Sequence, residues 1–112
     1  MDTISRDELR TLIDSGDVTV VEALGPQYYE DAHLPGAINI PHTDVERLAP
    51  ELLPDKAAAI VTYCSNTACQ NSQVAAAQLR ALGYTNVRKY AEGKDDWRAA
   101  SLPLEIGAGA GA

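Results

Sequence analysis

The chain has 112 residues, a formal net charge of −7 and two cysteines, and 46% of its residues are hydrophobic. This length and hydrophobic content predict one globular domain with its own core. The acidic balance argues against nucleic acid or an anionic membrane as a partner, because both attract cationic surfaces.

The cysteine count and the polar start of the chain bear on the cellular compartment of the protein. Two cysteines are too few for a disulfide framework. The first ten residues have the pattern of neither a signal peptide nor a membrane span. We therefore expect a reducing, cytoplasmic setting.

Helices and strands alternate in the first half of the chain. Ser5 and Glu8 have the spacing of a capping box, and Gly16 is a stop signal, so we expect a helix between them. Thr43 and Glu46 repeat this spacing before a second helix. The predicted elements are an edge strand at 2–4, a helix at 6–15, a strand at 18–21, a helical turn at 27–31, a strand at 37–40 and a helix at 44–52.

The second half contains the most informative stretch. Residues 57–63 form an uninterrupted apolar run that is typical of a strand buried on both faces, and Cys64 follows directly. Ser72 precedes a helical pattern over 73–82 that Gly83 ends. A strand at 86–90 and a short helix at 94–100 complete the alternation. Such alternation predicts an α/β domain with a mainly parallel sheet and helices on both faces.

This arrangement places the Cys64 thiol at the carboxyl end of a parallel strand and beside a helix N-terminus, a common position for active sites. Ligands of parallel α/β sheets bind at the carboxyl ends of the strands, and a helix N-terminus there offers free N–H groups. A cysteine at such a position is expected to have its pKa lowered from about 8.5 to roughly 3.5–7.5. We therefore predict Cys64 as a nucleophile.

Three segments together resemble the rhodanese-like domain. They are the His-Leu-Pro-Gly-Ala stretch that begins at His33, the Tyr63-Cys64 loop before its helix, and residues 82–97, which include Gly93 and Trp97. The resemblance covers residues 4–105 and implies a five-stranded parallel sheet with the cysteine strand in its middle. We therefore assign residues 1–105 to the domain and expect the Gly/Ala-rich residues 106–112 to be a disordered tail.

The resemblance also implies an activity. Rhodanese-like sulfurtransferases carry sulfane sulfur as a persulfide on the cysteine, which here is Cys64. The expected partners are a small sulfur donor and a thiol or other nucleophilic acceptor, with no cofactor and no metal. The loop that follows the cysteine implies a substrate-binding segment, formed by Ser65, Asn66, Thr67, Ala68, Gln70 and Asn71.

This loop departs from the usual family pattern. Ser72 lies eight positions after Cys64, which makes the loop two residues longer than usual. Asn71 stands where an arginine is frequent, and a second common arginine is replaced by Leu24. Charge-assisted hydrogen bonds from arginine stabilise bound thiosulfate, which is a dianion. Because both arginines are missing, we expect weak activity with thiosulfate and a preference for persulfide donors. Lys94 or Arg98 would compensate only if its side chain reached the pocket.

Cys69 is the second distinctive residue of the loop. It lies five positions after Cys64, where its thiol is a candidate to attack a persulfide and leave an internal disulfide. The alternative is an incidental loop cysteine, because spacing alone does not determine geometry. A zinc site is poorly supported, because these cysteines lack a second pair of ligands.

Other polar and aromatic residues have structural interpretations. The family resemblance assigns His33 to fixing a loop and puts His42 after an edge strand, away from the cysteine. Trp97 is predicted to be a core residue, and Asp95 and Asp96 are expected to cap or solvate the last helix.

Two alternatives to a sulfurtransferase remain open. Phosphatases and arsenate reductases of the same fold have a longer loop after the cysteine, but they normally need an arginine where Asn71 stands. Rhodanese-like domains also serve as non-catalytic interaction modules, although the cysteine is often lost in those.

Overall fold

The central feature of the computed structural model, which describes residues 3–107, is a parallel sheet of four strands. Their order across the sheet is β2-β1-β3-β4. The strands are β1 (Thr19–Glu22), β2 (Ile38–Asn39), β3 (Ile60–Tyr63) and β4 (Val87–Tyr90). The strand that precedes Cys64 is β3, so both of its edges are paired and it lies inside the sheet.

Among residues 3–107, five helices flank the sheet, and the sheet separates two hydrophobic cores. One core includes Ala49 and Leu79, and the other includes Leu9 and Trp97. The helices are α1 (Arg6–Ser15), α2 (Pro26–Asp31), α3 (Val45–Leu52), α4 (Asn71–Ala81) and α5 (Gly93–Ala99). Helices α3 and α4 contribute to the first core, and α1, α2 and α5 contribute to the second. The predicted α/β domain with helices on both faces of a parallel sheet is therefore confirmed.

The predicted fifth strand is not found among residues 3–107. Thr3 makes only an isolated parallel bridge to Lys89, a residue of β4. The N–H of Ile4 donates to the Lys89 carbonyl at 3.0 Å. Ser5 then caps α1, so the chain turns into a helix before a ladder can extend. The expectation of five strands was therefore wrong, and one bridge occupies that edge of the sheet.

Local signals located some helix ends better than others. The Ser5 hydroxyl accepts from the Glu8 N–H at 3.1 Å, and α1 has its predicted bounds. The capping box predicted at Thr43 is not formed. The Asp44 N–H donates to the Pro41 carbonyl in a turn, and Asp44 is the N-cap of α3. Helix α4 begins at Asn71, which puts Ser72 inside its first turn.

The alternation of side chains along β3 decides which core each residue faces. Ile60 packs in the α3/α4 core, whereas Val61 and Tyr63 pack in the opposite core. Thr62 points to the α4 side, where its hydroxyl donates to the Ser72 carbonyl at 2.9 Å. Cys64 continues this alternation and therefore meets the start of α4.

The last described residues contact the domain. The Gly107 N–H donates to the Glu30 carbonyl at 2.6 Å. Residues 108–112 of the predicted disordered tail lie outside the described residues. Within residues 3–107, no helix combines the length and apolar character needed to cross a membrane.

Candidate active site

Cys64 is the first residue after the central strand β3 and is almost fully buried, with 1% of its surface exposed. The N-terminus of α4, an 11-residue helix, lies beside it. The N-cap residue Gln70 makes no side-chain capping hydrogen bond, so the first N–H groups of α4 remain available. The thiol therefore lies at the predicted junction of strand end and helix start.

Two residues of the following segment contact the sulfur. The Cys64 thiol donates to the Cys69 carbonyl, with Sγ and O 3.3 Å apart, and lies 3.6 Å from the Ser72 hydroxyl oxygen. The backbone N–H of Ser72 also bonds to the sulfur. Ser72 is itself buried, so its two donors are fixed at the thiol.

The pKa of Cys64 is raised above its ordinary value, which contradicts the expected lowering. The largest cause is burial, which disfavours the thiolate. A side-chain hydrogen bond with the Cys69 thiol and repulsion between the two sulfurs raise it further, whereas the hydrogen bonds from Ser72 lower it. Sequence alone did not indicate how deeply the thiol is buried.

Asn66 organises the loop between the strand and the helix. Its side-chain oxygen accepts from the Ala68 N–H at 3.0 Å, and its carbonyl accepts from the Cys69 N–H at 3.1 Å. Its amide group donates to the Asp95 carboxylate at 3.1 Å. These bonds hold Cys69 close to Cys64 and anchor the loop to α5.

The start of α5 clamps the backbone of Cys64. The Lys94 N–H donates to the Cys64 carbonyl at 2.9 Å, and the Asp95 N–H donates to the Ser65 carbonyl at 2.8 Å. Gly93 has φ of +72°, and a Cβ atom there would lie 2.5 Å from the Cys64 carbonyl oxygen. Only glycine permits this approach. The sequence analysis used Gly93 for the family resemblance but did not predict its contact with the cysteine.

Lys94 belongs to a buried polar network beneath the site. Its ammonium group lies 2.9 Å from Glu22 Oε1 and donates to the Tyr28 carbonyl at 2.9 Å. The Tyr63 hydroxyl donates to the same Glu22 oxygen at 2.8 Å and accepts from the Leu34 N–H. Burial and the Glu22 charge raise the pKa of Tyr63, which keeps its hydroxyl protonated. Lys94, which would compensate for the missing arginines only if its side chain reached the pocket, is thus neutralised by Glu22.

The other predicted residues have mostly structural positions. His33 is buried, and its ring stacks on Tyr29 with centroids 3.8 Å apart. Trp97 is buried in the core and donates to the Pro103 carbonyl at 2.8 Å. His42 follows the edge strand β2, which β1 separates from the cysteine strand. Arg98 is exposed.

Asp96 does more than cap or solvate its helix. It pairs with Arg6 at 3.2 Å and accepts a short hydrogen bond from Tyr90, so it connects α5 to α1 and β4. Asp95 was expected to have the same simple role, but it bonds the loop residue Asn66. The contacts with Arg6 and Asn66 join residues far apart in the sequence, which local patterns do not reveal. No group of three or more histidine, cysteine or acidic side chains within residues 3–107 could hold a metal ion.

Comparisons with known proteins agree with this arrangement. The chain is 36% identical over 110 residues to the HTH-type transcriptional regulator Rv0324 of Mycobacterium tuberculosis, covering 98% of this chain and 47% of the regulator. It is 37% identical over 70 residues to the thiosulfate sulfurtransferase PspE of Escherichia coli, covering 62% of this chain and 65% of that protein. The chain thus spans only part of the length of either relative.

A solved structure and a family model extend the likeness. The human single-domain sulfurtransferase TSTD1 superposes with a TM-score of 0.78 at 26% identity, over 88% of this chain and 96% of that one. The rhodanese-like domain model matches residues 5–100. This match includes β1 to β4, the Cys64 loop and the α5 clamp, and the chain therefore belongs to the rhodanese-like domain family.

Proposed function

We propose that this chain is a sulfurtransferase in which Cys64 accepts a sulfane sulfur as a persulfide and passes it to a nucleophilic acceptor. The observation that carries the proposal is the position of the buried Cys64 sulfur at the start of α4, where Ser72 offers both a backbone N–H and a hydroxyl. Such donors stabilise the negative charge of a thiolate and of the persulfide that replaces it.

The transfer needs only the thiolate and two substrates. The Cys64 thiolate attacks the outer sulfur of a persulfide donor, a new S–S bond forms, and the donor leaves as a thiolate. An acceptor thiolate then attacks the outer sulfur of the Cys64 persulfide and regenerates the Cys64 thiolate. Within residues 3–107, the N–H groups of Thr67, Gln70 and Asn71 make no hydrogen bond to the backbone, and we propose that they bind the anionic donor.

The loop chemistry favours persulfide donors over thiosulfate. No cation lies in residues 65–71, and Lys94 is held by Glu22. Losing one charge-assisted hydrogen bond to a dianion costs about 1.5–3 kcal/mol. The Escherichia coli relative is called a thiosulfate sulfurtransferase, so both donors need to be compared. We expect a higher second-order rate of sulfur uptake from a low-molecular-weight persulfide than from thiosulfate, and the reverse order would contradict the donor preference.

Intact mass spectrometry tests the carrier role. The reduced protein is incubated with each donor, desalted and weighed, alongside Cys64→Ser and Cys69→Ser. We expect a mass increase of one sulfur atom in Cys69→Ser and none in Cys64→Ser. An adduct that persists in Cys64→Ser would refute Cys64 as the carrier.

The likeness to an HTH-type regulator over 98% of the chain supports a second candidate role. In a role of that kind, the persulfide state of Cys64 would be a signal within a longer protein. Steady-state turnover separates the two roles, because an enzyme passes many sulfur atoms to an added thiol acceptor. Retention of a single sulfur per chain in the presence of acceptor would favour the signalling role.

Phosphatase activity is not favoured by the site. A tetrahedral oxyanion needs a cation in the loop, and Asn71 at the start of α4 is uncharged. We expect no hydrolysis of an aryl phosphate above that of Cys64→Ser.

A further inference from the structure

The two cysteines of the chain lie together in one short loop, and the second one has no role in simple sulfur transfer. Both are free thiols, Cys64 buried and Cys69 partly exposed. The Cys69 carbonyl oxygen is 3.3 Å from the Cys64 sulfur. Because the side chain of a residue branches one bond from its carbonyl carbon, this contact brings the Cys69 thiol within reach of Cys64.

The contact between the two residues is a hydrogen bond from the Cys64 thiol to the Cys69 carbonyl. The Cys69 side chain is also near enough to raise the pKa of the Cys64 thiol. Asn66 maintains this arrangement, because its carbonyl accepts from the Cys69 N–H at 3.1 Å. The loop is therefore preorganised with Cys69 beside Cys64.

We propose that Cys69 is a resolving thiol, which attacks the persulfide on Cys64 and releases sulfide. This inference rests on the proposed function, because it needs sulfur to be loaded on Cys64. It adds an activity to the domain, namely reduction of a bound sulfane sulfur to sulfide without an acceptor molecule.

The step is balanced within the protein. The Cys69 thiolate attacks the Sγ atom of Cys64, the Sγ–Sγ bond forms, and the bond between Cys64 Sγ and the outer sulfur breaks. The outer sulfur leaves with the electron pair and takes up the proton that Cys69 lost, so the product is hydrosulfide. The sulfane sulfur gains two electrons, and the two cysteines lose two electrons as they become a disulfide. A small dithiol then returns the disulfide to the reduced state.

Loading of Cys64 also loosens the loop. In the resting state the Cys64 thiol donates to the Cys69 carbonyl. A persulfide has no hydrogen on Sγ, so this bond is lost when sulfur is bound. The neighbouring Thr67, Ala68 and Gln70 are exposed, so the loop has room to turn and bring the Cys69 sulfur in line.

A single-turnover experiment tests the resolving role. Reduced wild-type protein, Cys69→Ser, Cys64→Ser and Thr11→Ser, a control at an exposed position of α1, are mixed with one equivalent of a low-molecular-weight persulfide. Unreacted donor and released thiol are removed quickly, and sulfide and intact mass are then followed over time. We expect wild type and Thr11→Ser to release one equivalent of sulfide and to end two hydrogens lighter than the reduced chain. We expect Cys69→Ser to keep its added sulfur and to release at least tenfold less sulfide.

The outcomes separate the two proposals. If Cys69→Ser gains no sulfur, the carrier role of Cys64 fails first. If Cys69→Ser and wild type both keep the sulfur, the carrier role stands and the resolving role is overturned. A wild-type chain that retains the sulfur on Cys69, identified by peptide mapping, also overturns it, because the sulfur has then migrated without being reduced. Addition of dithiothreitol to the lighter wild-type product should restore the reduced mass.

Discussion

The reactivity of Cys64 depends on two opposing effects on its thiol. Burial and the neighbouring Cys69 raise the pKa, whereas the donors of Ser72 lower it, and the raised pKa shows that burial dominates in the resting conformation. The thiol also donates to the Cys69 carbonyl, a bond that only the protonated form makes. The resting loop thus keeps the nucleophile protonated.

The pH dependence of alkylation follows from this balance. Because the thiolate is the reactive form and its pKa is raised, the rate with iodoacetamide should increase with pH and have its midpoint above about 8.5, the value for a free cysteine. At pH 7 the thiolate fraction should be below the few per cent of a free thiol. The rates are measured on Cys69→Ser and on wild type by mass spectrometry.

Two comparisons sharpen this prediction. Cys69→Ser should have a lower midpoint than wild type, because the second thiol contributes to the raised pKa of Cys64. Ser72→Ala should have a higher midpoint, because the hydroxyl 3.6 Å from the sulfur is removed. A wild-type midpoint near neutral pH would mean that the N-terminus of α4 outweighs burial.

Gly93 permits the closest backbone approach to the nucleophile. A Cβ atom there would lie 2.5 Å from the Cys64 carbonyl oxygen and 2.8 Å from the Ser65 carbonyl carbon, and backbone atoms cannot move aside as a flexible side chain can. We expect Gly93→Ala to lose about 1–2 kcal/mol of stability from the left-handed φ and about 1–3 kcal/mol more from the clash. Urea unfolding measures the loss.

Gly16 provides a matched control for Gly93→Ala. It has φ of +78°, and a Cβ atom there would have no other atom within 4 Å. Gly16→Ala therefore has the strain of the left-handed backbone without a steric clash. Gly16→Ala should lose only about 1–2 kcal/mol and should alkylate at Cys64 as wild type does. If Gly93→Ala and Gly16→Ala were equally stable and had equal Cys64 reactivity, the contact between the start of α5 and the Cys64 backbone would not determine the site.

At the scale of elements, the buried pair of Lys94 and Glu22 connects the start of α5 to the end of β1. Both side chains are almost fully buried. Lys94→Met should lose about 3–5 kcal/mol, because it leaves the Glu22 charge buried with only Tyr63 as partner. The free energy of unfolding in urea tests this value.

A second variant separates the loss of a partner from the loss of packing. Glu22→Gln combined with Lys94→Met removes the stranded charge and should lose less stability than Lys94→Met alone. Arg47→Met, in an exposed pair with Asp44, should change stability by no more than about 0.5 kcal/mol. If Lys94→Met were as stable as Arg47→Met, the buried pair would have no structural importance.

Short-range patterns predicted some elements well and missed the contacts between them. The bounds of α1 followed from the Ser5 cap and from Gly16, and the apolar run before Cys64 located the central strand. The pairing of Glu22 with Lys94 joins residues far apart in the sequence and leaves no local signal. The direction of the Cys64 pKa shift was missed for the same reason, since burial is set by the whole fold.

At the scale of the whole molecule, negative charge dominates. The net charge is −7, the loop over 65–71 has no cation, and Lys94 is neutralised by Glu22. An anionic reagent that approaches Cys64 is therefore expected to be repelled, and salt to screen the repulsion. The electrostatic field of the protein should slow the reaction of Cys64 with anionic reagents and leave the reaction with neutral reagents unaffected.

Iodoacetate and iodoacetamide form a matched pair of reagents for this field, because both alkylate a thiolate and only the first is an anion. As salt is raised from about 0.02 M to about 0.2 M, the ratio of the iodoacetate rate to the iodoacetamide rate at Cys64 should increase roughly two- to tenfold. The rates are measured on Cys69→Ser, which has one thiol, at constant pH. A ratio that falls with salt would reveal a local cation that concentrates anions at Cys64, and the expected weakness toward thiosulfate would then lose its electrostatic basis.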